Sequence, residues 1–290
     1  MFSSLILAPF ADESARHSLA AVIALAISAG PVGVFLMLRR MSLVGDAMSH
    51  AILPGVAIGF LVAGLNVFAM TLGGLAAGLL IALLAGVVTR TTELKEDASL
   101  AVFLLVSLAL GVVIVTINGM DIEHLMEFLF GETSANMNQD KLLVIAANAT
   151  VSTLVLALIY RPLVLDCVDP GFLRTVSGSG GIAHFAFLAL LVLNLISGFH
   201  ALGTLLGVGI MIIPAAISRF WTRDITAMIA IACATGALSG VAGLLLSFHA
   251  KIPTGPGVTL VAGVLYIASI LFGSVGGLVW RLFPGRHLEA

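Results

Sequence analysis

Apolar residues run along this chain in long stretches, and the polar residues collect in the gaps between them. A transmembrane helix needs about 20 predominantly apolar residues. Residues 19–38, 44–65, 67–88, 98–117, 142–160, 182–199, 202–220, 225–248 and 258–282 meet that requirement. The pattern predicts an all-α polytopic transmembrane bundle of about nine spans. The segments that meet near Asn66 and near His200 have almost no loop between them. Either pair therefore reads equally well as a broken or re-entrant helix, and eight spans is the alternative. Since no soluble stretch interrupts the apolar character, residues 1–290 read as one transmembrane domain.

Composition agrees. Of 290 residues, 60% are hydrophobic and 10% charged, against about 25% charged in a soluble domain. The net charge of −2 and the absence of a basic run give no reason to expect a nucleic-acid partner. Cys167 and Cys233 match no C-x-x-C pattern, so neither a zinc knuckle nor a disulfide framework is expected. The first ten residues lack a basic region, and Asp12, Glu13, Arg16 and His17 follow, which is unlike a cleaved signal peptide.

The positions of the cations orient the spans. With the amino terminus outside, the inner loops receive Arg39, Arg40, Arg90, Lys95, Arg161, Arg174, Arg219, Arg223, Arg281 and Arg286, while the outer side keeps Arg16, Lys141 and Lys251. Basic residues mark the cytoplasmic side of short loops, so this distribution predicts an external amino terminus and a cytoplasmic carboxyl terminus.

Two polar loops interrupt the pattern. Residues 118–140 fall outside and are acidic, with Asp121, Glu123 and His124 as candidates for a cation entrance or gate, although such charges are more often a solvated face. Residues 161–181 fall inside. There Asp169-Pro170-Gly171 reads as the start of a short helix, Asp169 capping it and Pro170 in the first turn. That segment suits docking to a soluble partner or a plain connection equally.

Most of the chemistry sits in one stretch, Arg39-Arg40-Met41-Ser42-Leu43-Val44-Gly45-Asp46-Ala47-Met48-Ser49-His50, continuing into Ala51-Ile52-Leu53-Pro54-Gly55. On a helix, Asp46 and His50 lie one above the other on the same face. Ionisable groups at membrane depth are costly and are expected to be paired, ligated or facing a cavity. The pair reads as half of a metal site, as a proton relay, or as a structural hydrogen bond. Zinc prefers four ligands and manganese harder oxygen-rich sets, so a metal site needs further groups, which a second copy of the chain could bring. His200 and His249 each stand alone and suggest surface or hydrogen-bonded roles. Pro214, inside a span, predicts a kink beside a cavity. The glycine-rich segment before it lacks the lysine and strand context of a phosphate loop, so any ATP hydrolysis belongs to another chain. Gly74-x-x-x-Gly78 and Gly236-x-x-x-Gly240 predict close helix packing, within one bundle more than between subunits.

The stretch from Arg39 to Ala57 resembles the first signature of the zinc and manganese ABC importer permeases, the ZnuB/MntB-like family. Leu129-Phe130-Gly131 is similar to an element that follows that family's fourth span, and Asp169-Pro170-Gly171-Phe172 to its coupling segment. Gly203-Thr204-Leu205-Leu206 through Ile213-Pro214-Ala215-Ala216 resembles its second membrane signature, and 240–247 with Pro253-Thr254-Gly255-Pro256 its third. Cys167, before the coupling aspartate, and His200 depart from the pattern. The resemblance implies a non-catalytic homodimeric permease in a bacterial cytoplasmic membrane, served by a cytoplasmic ATP-binding subunit and an extracytoplasmic metal-binding protein. It implies no permanently bound cofactor: zinc or manganese is cargo, and ATP binds the partner. It further implies that Asp46 and His50 are metal ligands, and that Asp169, Pro170, Gly171, Phe172 and Arg174 couple to the ATPase. The rival is a proton-coupled secondary transporter with Asp46 and His50 as relay.

Overall fold

The computed structural model describes residues 12–64, 66–94, 96–118, 137–169 and 180–279. Ten helices occur among them: α1 (Glu13–Leu38), α2 (Ser42–Ala51), α3 (Leu53–Ala63), α4 (Val67–Thr91), α5 (Glu96–Ile117), α6 (Gln139–Val168), α7 (Gly180–Leu202), α8 (Thr204–Ser218), α9 (Ile225–Ala250) and α10 (Thr254–Phe272). Eight segments are long and apolar enough to cross a membrane, with α2 and α3 together forming one of them. The expected span at 202–220 is the shorter helix α8, which at 15 residues is about 22 Å long. Of the two counts the sequence allowed, eight is the number of full-length spans.

Counting α2 and α3 as one, successive helices nevertheless alternate in direction. Ala26 of α1 faces Gly236 of α9 and Val22 faces Gly240, an antiparallel pairing. The last turn of α1 meets the last turn of α6 through Arg39 and Asp166, and the first turns of α7 through His184. Val34 near the end of α1 clusters with Ala215 of α8 and Met228 of α9. One end of the bundle thus gathers Arg39, Arg40, Arg219 and Arg223. The opposite end holds His17 beside Met137 at the approach to α6, and Thr71 of α4 beside His200 of α7.

Burial divides the helices into two groups. In α1 and α7 about 70% of the apolar window is enclosed (72% and 67%), whereas in α5, α6, α9 and α10 it is 22–28%. The outward side chains of the second group are apolar, among them Leu105, Leu158 and Leu260. This is the distribution for a bundle whose surroundings are hydrocarbon. Small residues set the inner spacing. Gly33 of α1 lies against the backbone carbonyl of Met211 in α8, and Gly55 and Gly73 bring the backbones of α3 and α4 together, so a side chain at any of them would occupy space held by a neighbouring backbone. Gly74 and Gly78 face Val56, Ile196, Val192 and Ile52 of the same chain, and Gly236 and Gly240 face α1. Both small-residue motifs serve internal packing, the more economical of the two expectations.

Polar side chains add links across helices. Asn194 Nδ2 donates to Ser152 Oγ at 3.0 Å, and Asn148 Nδ2 to Ser197 Oγ at 3.0 Å, tying α6 to α7.

Candidate functional site

The Asp46/His50 segment is a helix loosened just past the histidine. The α2 helix ends at Ala51 and α3 begins at Leu53, with Pro54 in its first turn. An uninterrupted helix would bond the amide of residue 54 to the carbonyl of His50, and proline has no amide hydrogen to give. Ile52 keeps helical dihedrals (φ −80°, ψ −14°), and regular four-residue bonds continue on both sides of it, Ile52 N to Met48 O at 3.3 Å and Val56 N to Ile52 O at 3.1 Å, so Pro54 loosens one turn of an otherwise continuous span. This turn lies well inside the bundle. Ser107 Oγ donates to the carbonyl of Ala51 at 2.8 Å, and Ser107 is the twelfth of the 22 residues of α5. His50 therefore lies near mid-depth of the bundle, with Asp46 one helical turn closer to the arginine-rich end.

Their settings differ. Asp46 is exposed on the surface of the single chain, and His50 is partly buried. The Nδ1 atom of His50 is buried with no hydrogen-bond partner among the described residues. Such an orphaned polar atom carries a desolvation cost of about 1–3 kcal/mol until something pairs with it. Between the two, Ser49 is buried and its hydroxyl returns to the Asp46 carbonyl at 2.7 Å, which stiffens the turn. Gly45 backs onto α8, where an added Cβ would lie 3.1 Å from Met211 Cε and 3.5 Å from Ile212 Cδ1, so the two helices approach closely. The face bearing Asp46 and His50 is thus supported from behind by α8 and open in front.

Among the described residues no group of three or more His, Cys, Asp or Glu side chains converges.

The remaining sequence candidates scatter. Pro214 is buried inside α8, which continues through it to Ser218; the interruptions flank Ile52 and Gly203 (φ +97°) instead. Asp169 closes α6, its amide donating to Leu165 O at 2.9 Å. Pro170, Gly171, Phe172 and Arg174, together with Asp121, Glu123, His124 and Leu129-Phe130-Gly131, lie outside the described residues. His200 Nε2 meets the hydroxyl of Thr71 at 3.2 Å, and the exposed His249 bonds to Leu245 O at 2.8 Å, so both lone histidines have hydrogen-bonded roles.

Arg39 is the functional-looking residue that sequence reasoning missed. Counted there as one more inner-side cation, it is a buried guanidinium paired with Asp166, 127 residues away. Its neighbours in sequence give no sign of that partner.

Comparison with known proteins follows the same outline. The profile of the "ABC 3 transport family" matches residues 11–273. The chain is 33% identical over 256 residues to the manganese import system permease protein ScaB of Streptococcus parasanguinis, covering 88% of this chain and 89% of that one. It is 31% identical over 286 residues to the zinc transport system membrane protein TroC of Treponema pallidum, covering 97% and 96%. Among solved structures, PsaBC from Streptococcus pneumoniae in complex with Fab superposes with a TM-score of 0.86 at 25% identity, over 98% of this chain and 100% of that one.

Proposed function

The chain belongs to the ABC 3 transport family, a family of manganese and zinc ABC-transporter permeases, and on that premise we propose that it works as a homodimer that passes the metal between Asp46 and His50 of both copies, driven by ATP hydrolysis in a separate cytoplasmic subunit. The observation that carries this reading is the pair itself: an exposed carboxylate and a half-buried imidazole with an unpaired Nδ1, one turn apart, just before the turn that Pro54 loosens at mid-depth. A cation drawn against the unpaired His50 nitrogen relieves its desolvation, and the Asp46 carboxylate supplies the countercharge. Two such pairs make four ligands, the usual complement for zinc, while manganese would keep water on some positions. Ligation shared between two chains separates when the chains move apart, so the ion can leave as well as bind.

In this cycle an extracytoplasmic binding protein releases metal to the outer end of the bundle. The arginine-rich end faces the cytoplasm, where the segment from Asp169 through Pro170, Gly171 and Phe172 to Arg174 engages the ATPase. The amino terminus is then outside. This reading assigns Asp121, Glu123 and His124 to the outer entrance. Membership of an ABC family disfavours the proton-relay alternative, which predicts uptake sensitive to an uncoupler and indifferent to any ATPase.

The test is metal uptake in cells lacking their own importer, with the ATPase and binding protein coexpressed. Wild type, Asp46→Ala and His50→Ala are compared at matched membrane levels, with zinc and manganese assayed side by side. Each variant is expected to lose at least tenfold in uptake of the cognate ion. Unimpaired uptake in both removes the assigned path.

A further inference from the structure

Arg39 stands where three helices end. Its side chain is 10% exposed. One terminal nitrogen, Nη2, donates to the Asp166 carboxylate in the last turn of α6 and meets His184 Nδ1 at 3.2 Å in the second turn of α7. The guanidinium carbon lies 5.2 Å from the ring centre of Phe187, one turn further along α7. A buried ion pair is a poor device for stability alone, because apolar side chains of similar volume usually serve as well or better. What a planar guanidinium provides is a defined geometry toward several partners at once.

Those partners sit at informative places. Asp166 lies three residues before Asp169, and α7 begins at Gly180. They bracket residues 170–179, the segment assigned above to coupling. On its other side Arg39 leads directly into the metal-path helix. Four amides of the intervening turn have backbone acceptors: Arg39 N to Phe35 O at 3.0 Å, Arg40 N to Met37 O at 3.2 Å, Met41 N to Leu36 O at 2.9 Å and Val44 N to Met41 O at 3.0 Å. Such a turn transmits displacement with little bending. Asp46 follows in the second turn of α2.

We propose that Arg39 is the positioning residue that joins the ends of α6 and α7 to the helix carrying Asp46, so that a movement of residues 170–179 shifts the metal ligands. The inference rests on the ATPase-coupling role proposed for the 169–174 segment. It goes beyond that role in assigning the route by which coupling reaches the metal path.

The experiment uses the full permease assembled with its ATPase subunit in nanodiscs. Cys167 and Cys233 are replaced by serine, and a spin label is placed at Ala47→Cys. The distance between the two labels is measured with and without ATP trapped by vanadate, in the parent protein and in Arg39→Gln, Asp166→Asn and Arg39→Lys. The parent is expected to show a nucleotide-dependent change. In Arg39→Gln and Asp166→Asn that change falls below one third of the parent's, and uptake drops at least tenfold. ATP binding and equilibrium metal content remain within twofold. Arg39→Lys, which keeps the charge but loses the planar group over the Phe187 ring, gives an intermediate response. An equal distance change in parent and variants overturns the role of Arg39 and leaves the coupling reading standing. No change in the parent removes the coupling reading and this inference with it. If Arg39→Gln does not assemble, the nearly isosteric Asp166→Asn carries the test. Failure of both to assemble assigns the cluster to folding and overturns the proposal.

Discussion

Arg39 and Arg40 are adjacent and carry the same charge, yet the fold treats them in opposite ways. Arg39 is enclosed by Asp166, His184 and Phe187. Arg40 is exposed and holds φ at +59°, one of two non-glycine residues with positive φ among those described. An L-residue in that left-handed conformation costs about 1–2 kcal/mol, which glycine largely escapes. Arg40→Gly is therefore expected to stabilise the protein by up to about 1 kcal/mol, after glycine's extra chain entropy is deducted, and to leave uptake unchanged. Thermal unfolding in nanodiscs, paired with an uptake assay, checks this. A clear fall in melting temperature would mean that Arg40 makes a contact that matters more than its backbone strain. At this scale the sequence was readable where the relevant residues are neighbours. The spacing of Asp46 and His50 needed only helical periodicity. The burial of Arg39 depends on a carboxylate 127 positions away, and local pattern counted it with the solvated cations.

Elements were legible to the extent that lipid-length apolar stretches declare themselves. All nine predicted stretches are mainly helical in their described residues, the last only as far as Phe272; the near absence of loop marks a short helix after His200, whereas the two segments meeting near Asn66 are both full-length spans. The continuous stretch 44–65 concealed its loosened turn, because Pro54 is tolerated in the first turn of a helix as well as disruptive in the middle of one. In the structure the helix is loosened at that turn by the one bond that Pro54 cannot make. With alanine at position 54 an amide hydrogen becomes available for the His50 carbonyl, and α2 and α3 can join. Pro54→Ala is expected to be neutral or stabilising, by at most about 3 kcal/mol, the full helix-interior penalty of proline. Uptake is expected to fall at least fivefold, since joining the helices re-aims the His50 side chain. Comparing melting temperature with uptake rate separates the two effects. A variant that transports normally would show that the loosened turn is incidental to the metal path.

At the scale of the whole molecule, the decisive feature is that no group of three or more candidate ligands converges among the described residues, while Asp46 of the proposed pair is exposed. An exposed carboxylate is unremarkable in water but not at membrane depth, where it calls for a partner or a cavity. In the proposed homodimer a second copy would supply both, and this predicts a stoichiometry: one transition-metal ion per two chains, lost when either copy is impaired. The start of α1 and the end of α10 lie at opposite ends of the bundle: the end of α10 meets the α8–α9 turn, where Phe220 O accepts from Val275 N. A direct tandem fusion would therefore force its linker across the membrane. Mixed dimers are better made by coexpressing two differently tagged chains, one carrying Asp46→Ala and His50→Ala, and purifying sequentially on both tags. Reconstituted with ATPase and binding protein, these dimers are expected to fall below one tenth of wild-type uptake and to bind metal at under one tenth of the wild-type occupancy. If each chain held its own complete site, the mixed dimer would keep about half of each. Metal content by mass spectrometry and uptake by the same preparation are independent readouts, so a dimer that binds half yet transports nothing would place the sharing in the movement rather than in the ligation.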